Sequence, residues 1–412
     1  MGFAQGVSGL NASASNLDVI GNNIANSGTI GFKSGSVQFS DVYAGSRVGL
    51  GAEVAGVSQN FSGGAVQTSS RTLDVAITNG DGLFRLASPG GGVAYSRNGQ
   101  FNMDKSGFIV NSGGYQLTGY AVGANGAAAG ASPIPLQLPT AAMAPKSTDK
   151  VAAQFNLDSR SVTPQATPFN PANSTTYNYA NAVTVFDSLG NSHELATFFV
   201  KAQANAAAVP PVPVNTWKVY GAVDGAAVNS GASISTLTFD DRGALTPPIQ
   251  QMQVAGLNFA NGSSPMTLTV DVTGTTQFGN ANEVNKLTQS GYTSGVLSSF
   301  AIGKNGTITG KYSNEQTQSL GQVVLSSFVN PNGLKSLGGN LYAETAASGG
   351  PLTGAPGEGT KLGALTSGAV EASNVDLTSE LVNLIIAQRT YQANAQTVKT
   401  QDQVLQTLVN LR

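Results

Sequence analysis

The chain of 412 residues contains no cysteine, one histidine and one tryptophan, and only 10% of its residues are charged. Without cysteine, disulfides, thiolate metal sites and cysteine nucleophiles are excluded. The formal net charge is −2 and no basic run occurs, so we expect no nucleic-acid partner. No stretch of 18 apolar residues is present, so we predict neither a membrane-spanning helix nor membrane insertion.

Catalytic chemistry has little support in this composition. His193 and Glu194 do not form a zinc-binding HExxH motif, because position 197 is threonine. His193 and the acidic pair Asp240-Asp241 are typical of turns between strands. We predict no enzyme, no cofactor and no metal, although two acids brought together from distant strands could still form a glycosidase site.

The C-terminal residues 371–412 lack both glycine and proline. Apolar residues recur there at alternating steps of four and three, which predicts a coiled-coil-type helix from Val375 to Leu411, about 55 Å long. Ser373 with Asp376 is a candidate capping box, and Asn374 is a second N-cap candidate. The predicted interface residues are Leu377, Leu381, Leu384, Tyr391, Val398, Leu405 and, in a neighbouring row, Leu408.

The N-terminal residues repeat the same apolar period. The row comprises Phe3, Val7, Leu10, Leu17 and Ile24. We predict a helix that frays at 21–23 and stops by Gly28, and that pairs its apolar row with the C-terminal one. The C-terminal helix is longer by about 20 Å, so the rest of its apolar surface is predicted to contact another copy of the chain or another protein.

Between the helices the apolar period changes to two, which predicts β structure. The predicted fold is mainly β with terminal α-helices, arranged as nested segments. The predicted domains are an inner helical domain (1–30 and 371–412), an extended connector (31–72 and 363–370), a first β domain (73–145 and 284–362) and an inserted outer β domain (146–283), either barrel or sandwich.

Two motifs at opposite ends of the chain resemble the signatures of bacterial flagellar rod and hook axial proteins. The N-terminal motif comprises residues 22–26, 29–33 and 39–43, and the C-terminal motif comprises residues 371–376 and 387–394. The stretch VFDSLGNSH at 185–193 and the short connector resemble the hook branch of this family rather than the rod branch. The signature residues are Asn22, Asn23, Asn26, Gly31, Phe32, Lys33, Ser373, Asn374 and Asp376.

The resemblance implies a structural polymer: a curved tube that transmits torque from the rod to the filament as a universal joint. Implied partners are other copies of the chain, the rod, the hook-cap and hook–filament junction proteins, and the flagellar type III export apparatus. The implied location is the extracellular hook, reached without a cleaved Sec signal. The alternatives are a distal rod protein, an adhesin or an exported glycan hydrolase.

Overall fold

The computed structural model describes residues 2–42, 49–123, 128–205, 207, 212–247 and 251–410, with the side chains of 2, 128–131 and 408–410 left out. Two compact units are present. The first comprises Met1–Thr140, Ser298–Lys311 and Thr317–Arg412, and the second comprises Ala141–Leu297 and Tyr312–Gln316. The prediction of a mainly β chain with a helix at each end is confirmed.

The described residues form two α-helices, α1 (Gly2–Ala25) and α2 (Leu377–Asn410), and short 3-10 turns at Ser174–Thr176, Asn229–Gly231 and Pro331–Gly333. The strands in chain order are β1 (Gly35–Asp41), β2 (Ala52–Gln59), β3 (Val66–Thr68), β4 (Val75–Thr78), β5 (Leu83–Ala87), β6 (Val93–Ser96), β7 (Asn102–Met103), β8 (Ile109–Val110), β9 (Gln116–Val122), β10 (Ala128–Pro135), β11 (Lys150–Asp158), β12 (Tyr179–Phe186), β13 (Ser192–Lys201), β14 (Thr216–Val223), β15 (Ala226–Ala227), β16 (Ser235–Thr238), β17 (Met252–Leu257), β18 (Met266–Asp271), β19 (Thr276–Phe278), β20 (Glu283–Gln289), β21 (Leu297–Ile302), β22 (Thr307–Tyr312), β23 (Thr317–Val323), β24 (Leu325–Ser327), β25 (Lys335–Gly338), β26 (Leu341–Ala343), β27 (Leu352–Gly354), β28 (Ala364–Ser367) and β29 (Ala369–Glu371).

The N-terminus of α2 differs from its prediction. The Asp376 carboxylate accepts hydrogen bonds from the backbone N–H groups of Thr378 (2.9 Å) and Ser379 (3.2 Å), which makes Asp376 the N-cap. The helix therefore begins at Leu377 rather than Val375, and the expected capping box starting at Ser373 is wrong. Asn374 is not a cap either, because its amide bonds to the N-terminal region instead.

The C-terminal end of α1 also differs from its prediction. The helix does not fray at 21–23 but continues to Ala25, ending before Gly28 as expected. Asn23 is buried there, and its amide both donates to the Gly35 carbonyl (2.8 Å) and accepts from the Gly35 N–H (2.9 Å). This pair of bonds fixes the last turn of the helix against the start of β1, which offsets the weak helix propensity of Gly21 and its neighbours.

The region predicted as an extended connector contains paired strands. β1 and β2 form an antiparallel hairpin with a bulge between Gln38 and Phe39, and the hairpin packs against α1. Farther along, β3 pairs with β29, and β4 pairs with β28. Segments from the two ends of the chain therefore run together before α2 begins.

The β strands of the first unit interleave the two halves of the chain. β9 pairs with β23, β5 with β24, and β6 with β26. One apolar core fills this part of the unit, and its most buried members include Phe84, Leu86, Phe101, Leu117, Val323 and Leu325. Because each half supplies strands that pair with the other, neither half can bury this core alone.

The second unit has two five-stranded sheets that share one core, which includes Phe155, Phe199, Trp217 and Leu268. One sheet has the order β17-β18-β11-β19 with β20 also on β11, and the other has the order β12-β13-β14-β15 with β16 also on β14. The predicted boundary at 283/284 is wrong, because β20 pairs antiparallel with β11 and so belongs to the second unit.

Candidate functional site: the terminal helices and their junction

Small residues form the contact between α1 and α2. A β-carbon placed on Gly6 would lie 2.8 Å from Val398 Cγ2, and one placed on Gly9 would lie 2.8 Å from Asn394 Nδ2. Ala387 is the most buried apolar residue of α2, at 4% exposure. The glycines therefore allow a closer approach of the two helices than larger side chains would permit.

This contact corrects part of the prediction that the two apolar rows pair with each other, because Val398 of the α2 row meets Gly6 of α1 rather than the predicted α1 row. On α1 the face with Gly6, Gly9 and Ser13 meets α2, while Phe3 is exposed and Val7, Leu10, Leu17 and Ile24 are only half-buried. On α2, Leu384 and Val398 are half-buried, whereas Leu377, Leu381, Tyr391 and Leu405 are exposed. The side chain of Leu408 lies outside the described residues.

The first turns of α2 carry an apolar face that points away from α1. This outer face of α2 consists of Leu377, Leu381, Val382 and Ile385, each between 45% and 52% exposed. At 100° per residue, Ile385 lies nearly opposite the buried Ala387. A contiguous exposed apolar face of this kind is typical of a protein–protein interface.

A groove next to the outer face is bordered by α1, α2 and the β1–β2 hairpin. Its volume is about 600 Å³, and its apolar lining includes Val19, Ile20 and Ile386. Among the described residues, no hydrogen-bond partner reaches the buried Oε2 atom of Glu380, which also lines the groove. The groove extends the apolar surface of the helix pair.

A buried ion cluster lies where the two ends of the chain meet the β strands. Its members are Lys33, Arg97 and Glu371, which we call the junction cluster; their side chains are at most 2% exposed. One Glu371 carboxylate oxygen accepts from Lys33 Nζ at 2.6 Å, and the other accepts from Arg97 Nε at 2.5 Å. The cluster thus joins the segment after α1, the strand region around β6 and the segment before α2.

Backbone groups satisfy the remaining polar atoms of the junction cluster. Arg97 donates to the carbonyls of Gly82 (2.5 Å) and Gly80 (3.0 Å). Lys33 Nζ donates to the Ser62 carbonyl at 2.6 Å. These bonds offset the desolvation of two buried cations, which is why such a cluster is tolerated inside the fold.

The charges in the junction cluster shift two pKa values. Burial alone would raise the pKa of the Glu371 carboxyl, but the attraction of Arg97 and Lys33 holds it below its ordinary value. Burial lowers the pKa of the Lys33 ammonium, and the attraction of Glu371 offsets only part of that effect. Both pKa values are lowered, which is consistent with a cluster in which one carboxylate faces two cations.

Two signature residues bring the chain ends together beside the cluster. Gly31 donates its N–H to the Glu371 carbonyl at 2.8 Å and has a positive φ of 70°. A β-carbon at this position would lie 2.6 Å from the backbone nitrogen of Asn98, so only glycine fits. Asn374 accepts from the Ser34 N–H at 2.8 Å.

The other signature residues have local structural roles. The Asn26 amide donates to the carbonyl and side-chain oxygens of Asn22, both at 2.9 Å, and Thr29 donates to Asn26 at 3.1 Å. Phe32 is half-buried, and Ser373 accepts from the Val375 N–H at 3.3 Å. These bonds shape the turn after α1 and the approach to α2.

Arg97 and Glu371 were not predicted as site residues. Glu371 opens the C-terminal motif, but Arg97 lies 274 positions away in a strand pattern that gives no sign of an ion pair. A signal was available in Lys33, since a lysine inside a conformationally constrained motif needs an anionic partner if it is buried. Nothing in the sequence says which of the acidic residues supplies it.

The only histidine lies in the second unit. His193 is the second residue of β13, beside the predicted turn, with Nδ1 2.7 Å from Asp224 Oδ2 and Nε2 3.5 Å from Asp187 Oδ2. Its ring stacks on Phe259. Burial alone would raise the pKa of Asp187, but hydrogen bonds from Asn191 and Asn261 hold it well below its usual range.

Neither a metal site nor a membrane span is found in the part of the chain that the structure describes. No group of three or more histidine, aspartate or glutamate side chains there is arranged to hold a metal ion. Neither α1 nor α2 combines the length and apolar character needed to cross a membrane.

Comparison with known proteins places these features in one family. Four family models match: Flagella basal body rod protein at residues 5–33, Flagellar hook protein FlgE/F/G D1 domain at 76–157, Flagellar basal body protein FlaE D2 domain at 156–292, and Flagellar basal body rod FlgEFG protein C-terminal at 366–411. Together they include nearly all of both helices, the three residues of the junction cluster, β4 to β10 of the first unit and most strands of the second unit, but not residues 293–365.

The chain is similar over its whole length to named relatives. It is 48% identical to the flagellar hook protein FlgE of Escherichia coli K12 and to that of Salmonella typhimurium, with all of each chain covered. It is 32% identical to the flagellar hook protein FlgE of Borreliella burgdorferi, covering 99% of this chain and 98% of that one.

A solved structure shares the fold. The crystal structure of the Helicobacter pylori flagellar hook protein FlgE2 matches with a TM-score of 0.53 at 14% identity, covering 74% of this chain and 99% of that one. The rod-protein, adhesin and hydrolase alternatives gain no support from these relatives. On the full-length identities, the chain belongs to the flagellar hook protein family and is a structural subunit of the bacterial flagellar hook.

Proposed function

We propose that the chain polymerises through α1 and α2 into a curved tube that transmits torque from the flagellar rod to the filament while it bends. The observation that carries the proposal is the outer face of α2. The helix pair is already closed on its inner side by Gly6, Gly9 and Ala387, so the outer face has no partner within the described chain. A second copy supplies that partner.

The size of the apolar surface supports this choice of partner. Full burial of one large aliphatic side chain contributes about 1.5–3 kcal/mol. The four residues of the outer face are each about half exposed, so burying the rest contributes roughly 1 kcal/mol per side chain. Every subunit added to a polymer gains this burial free energy, which opposes the entropic cost of immobilising the subunit.

The predicted interface residues divide into two groups. Leu377, Leu381, Tyr391 and Leu405 are exposed and are proposed to contact neighbouring subunits directly, as is Phe3 on α1. The half-buried residues Val7, Leu10, Leu17, Ile24, Leu384 and Val398 are proposed to border those contacts.

The junction cluster is proposed as the element through which load passes between the helices and the β strands of the first unit. It links three separate chain segments by charged hydrogen bonds of 2.5–2.6 Å in a buried setting. Such bonds are stronger than neutral ones and are fixed in direction. A force on α2 is therefore transmitted to the strand region instead of rotating α2 about a loose linker.

The proposed domain roles follow the nested order of the segments. The helices form the inner part of the tube, and the two β regions form its outer part. Proposed partners beyond the chain itself are the rod, the hook-cap and the hook–filament junction proteins. Export is proposed to proceed through the flagellar type III apparatus without a cleaved Sec signal.

A charge placed on the outer face tests the proposal. Ile385→Asp puts a carboxylate where an apolar contact is proposed, at a cost of several kcal/mol per interface. Gln396→Asp is the matched control, because it adds the same charge at an exposed polar position of α2. In a strain lacking its own hook subunit, the control should restore hooks and Ile385→Asp should not.

Circular dichroism separates an assembly defect from a folding defect. Both variants should retain the β spectrum of the parent chain, because Ile385 does not contribute to either β core. Normal curved hooks assembled from Ile385→Asp would overturn the proposed role of the outer face.

A further inference from the structure

The groove beside the helix pair contains an acidic side chain that a single copy of the chain leaves without a partner. Glu380 lies in the first turn of α2 and is the one charged residue among the described lining residues of the groove. Its Oε2 atom is buried, and no donor reaches that atom within the described chain. A carboxylate oxygen that has lost water without gaining a donor is unfavourable. The groove therefore lacks a hydrogen-bond donor, and a positively charged one would fit it best.

Basic residues are scarce in the two helices that could supply this donor. The segment Gly2–Ala25 contains none, and the segment Leu377–Asn410 contains Arg389 and Lys399. Both side chains are exposed. A guanidinium carries five N–H donors in a planar arrangement that matches a carboxylate, whereas an ammonium is a compact point charge. Arg389 is therefore the better match for the carboxylate of Glu380.

The position of Arg389 on α2 connects it with the outer face. It follows Ile385 by four residues, so the two side chains lie on the same side of the helix. Lys399 lies ten residues, nearly three turns, farther along α2. Arg389 is thus the cation that accompanies the apolar contact proposed for this side of the helix.

Glu380 and Arg389 cannot meet within one chain. Nine residues separate them, which corresponds to about two and a half turns of an α-helix. The two side chains therefore leave α2 in opposite directions, one toward the groove and the other toward the outer face. A contact between two different surfaces of the same subunit repeats in one direction and produces a ring or an open helical polymer.

We propose that the groove of one subunit binds the outer side of α2 of a second copy, with Arg389 of the partner subunit donating to Oε2 of Glu380. The inference rests on the proposed polymerisation through α1 and α2, and it adds the surface that the outer face meets. Every subunit then presents Glu380 to one neighbour and Arg389 to another. The apolar lining of the groove, which includes Val19 and Ile20, excludes water from the pair and strengthens the charged hydrogen bond.

Reversal of either charge tests the pairing in the purified full-length chain. Glu380→Arg and Arg389→Glu each place like charges across the contact. Each variant should raise the subunit concentration needed for sedimentable polymer about tenfold or more, because a hydrogen bond between charged groups is lost. Lys399→Glu is the matched control, since it reverses the other exposed basic residue of α2, and it should polymerise like the parent chain.

A mixture of the two variants distinguishes a contact between copies from a contact within a chain. When Glu380→Arg and Arg389→Glu subunits alternate, opposite charges face each other at every contact. The equimolar mixture should therefore polymerise near the concentration of the parent chain. A double variant that carries both substitutions should do the same alone. Recovery in the mixture also shows that both single variants are folded.

Three results would overturn the pairing. The first is normal polymerisation of both single variants. The second is recovery of the double variant without recovery of the mixture, which would place the pair within one chain. The third is an equal loss in Lys399→Glu, which would show a general effect of charge.

Ile385→Asp, measured in the same assay, tests the proposed function separately. If it polymerises normally, the outer face is not an interface, and the proposed function fails together with the pairing. If Ile385→Asp fails to polymerise while both charge reversals polymerise normally, the outer face is an interface and only its pairing with the groove is refuted.

Discussion

Removing the charge of Glu371 should destabilise the first unit while leaving the second unit intact. Glu371→Gln keeps the size of the side chain, and its amide oxygen can still accept from the Gly64 N–H, which bonds Oε1 at 2.8 Å in the parent chain. Lys33 and Arg97 then remain buried without an anion. Arg97 retains the carbonyls of Gly80 and Gly82, which limits the loss.

The expected magnitude follows from the burial of the cluster. Breaking a buried ion pair by removing one partner costs about 3–5 kcal/mol. The stability of a whole domain is about 5–15 kcal/mol, so the variant should lose a large fraction of it. Adding Lys33→Met to Glu371→Gln should recover part of the loss, because it removes one of the two cations left unpaired.

The chain provides its own internal control for this measurement. The sole tryptophan, Trp217, belongs to the second unit, so its fluorescence follows the unfolding of that unit alone. Denaturant unfolding followed by circular dichroism reports both units. In Glu371→Gln, the dichroism should show an early transition for the first unit, and the fluorescence midpoint should stay unchanged.

An ion pair on the surface provides the matched control for Glu371→Gln. Glu358 bonds Lys304 at 2.8 Å with both side chains largely exposed, so Glu358→Gln should have no measurable effect on unfolding. The reasoning fails if Glu371→Gln and Glu358→Gln unfold alike. It also fails if the added Lys33→Met lowers stability further.

Three further predictions concern acid, packing and the second unit. The pKa of Glu371 is lower in the folded than in the unfolded chain, so the first unit should lose stability as the pH falls below about 4.5. A series of thermal melts at decreasing pH should show this loss in the parent chain but not in Glu371→Gln. Gly6→Val adds a branched side chain where even a β-carbon would lie 2.8 Å from Val398 Cγ2. The variant should therefore need a higher subunit concentration to assemble, as measured by sedimentation of the polymer. The ends of the second unit pair at Met143 and Gly295, so residues 146–292 can be replaced by a short Gly-Ser linker. Circular dichroism should show that the first unit remains folded, and electron micrographs should show straighter tubes. Insolubility of the shortened chain, or tubes of ordinary curvature, would contradict this prediction.

The sequence predicted the presence of both helices and the pairing of the chain ends, but it placed the contact between the helices on the wrong face of α1. Apolar periodicity marks side chains that need burial without saying which partner buries them. The glycines at 6 and 9 gave weak helix signals, yet they create the close approach of the helix pair. The predicted apolar rows are consequently only partly covered: Phe3 on α1 and Leu377, Leu381, Tyr391 and Leu405 on α2 stay exposed.

The members of the junction cluster and the C-terminal boundary of the second unit were not predicted from the sequence, for a different reason. Both depend on contacts between distant segments, such as Arg97 with Glu371 and β20 with β11. Alternation of apolar residues looks the same whether a strand pairs within one unit or the other. Only the register of β20 on β11 assigns residues 283–289 to the second unit.

The central claim, that the outer face of α2 is buried between subunits, is tested most directly by thiol labelling. The chain has no cysteine, so Ile385→Cys introduces a single thiol at a position that is 51% exposed in the isolated chain. Val162→Cys, at a position 78% exposed in the second unit, controls for access of the maleimide reagent. The account predicts that the maleimide labels the Ile385→Cys variant rapidly in the monomer and that assembled hooks protect it strongly. Equal labelling rates in monomer and hook would contradict the account.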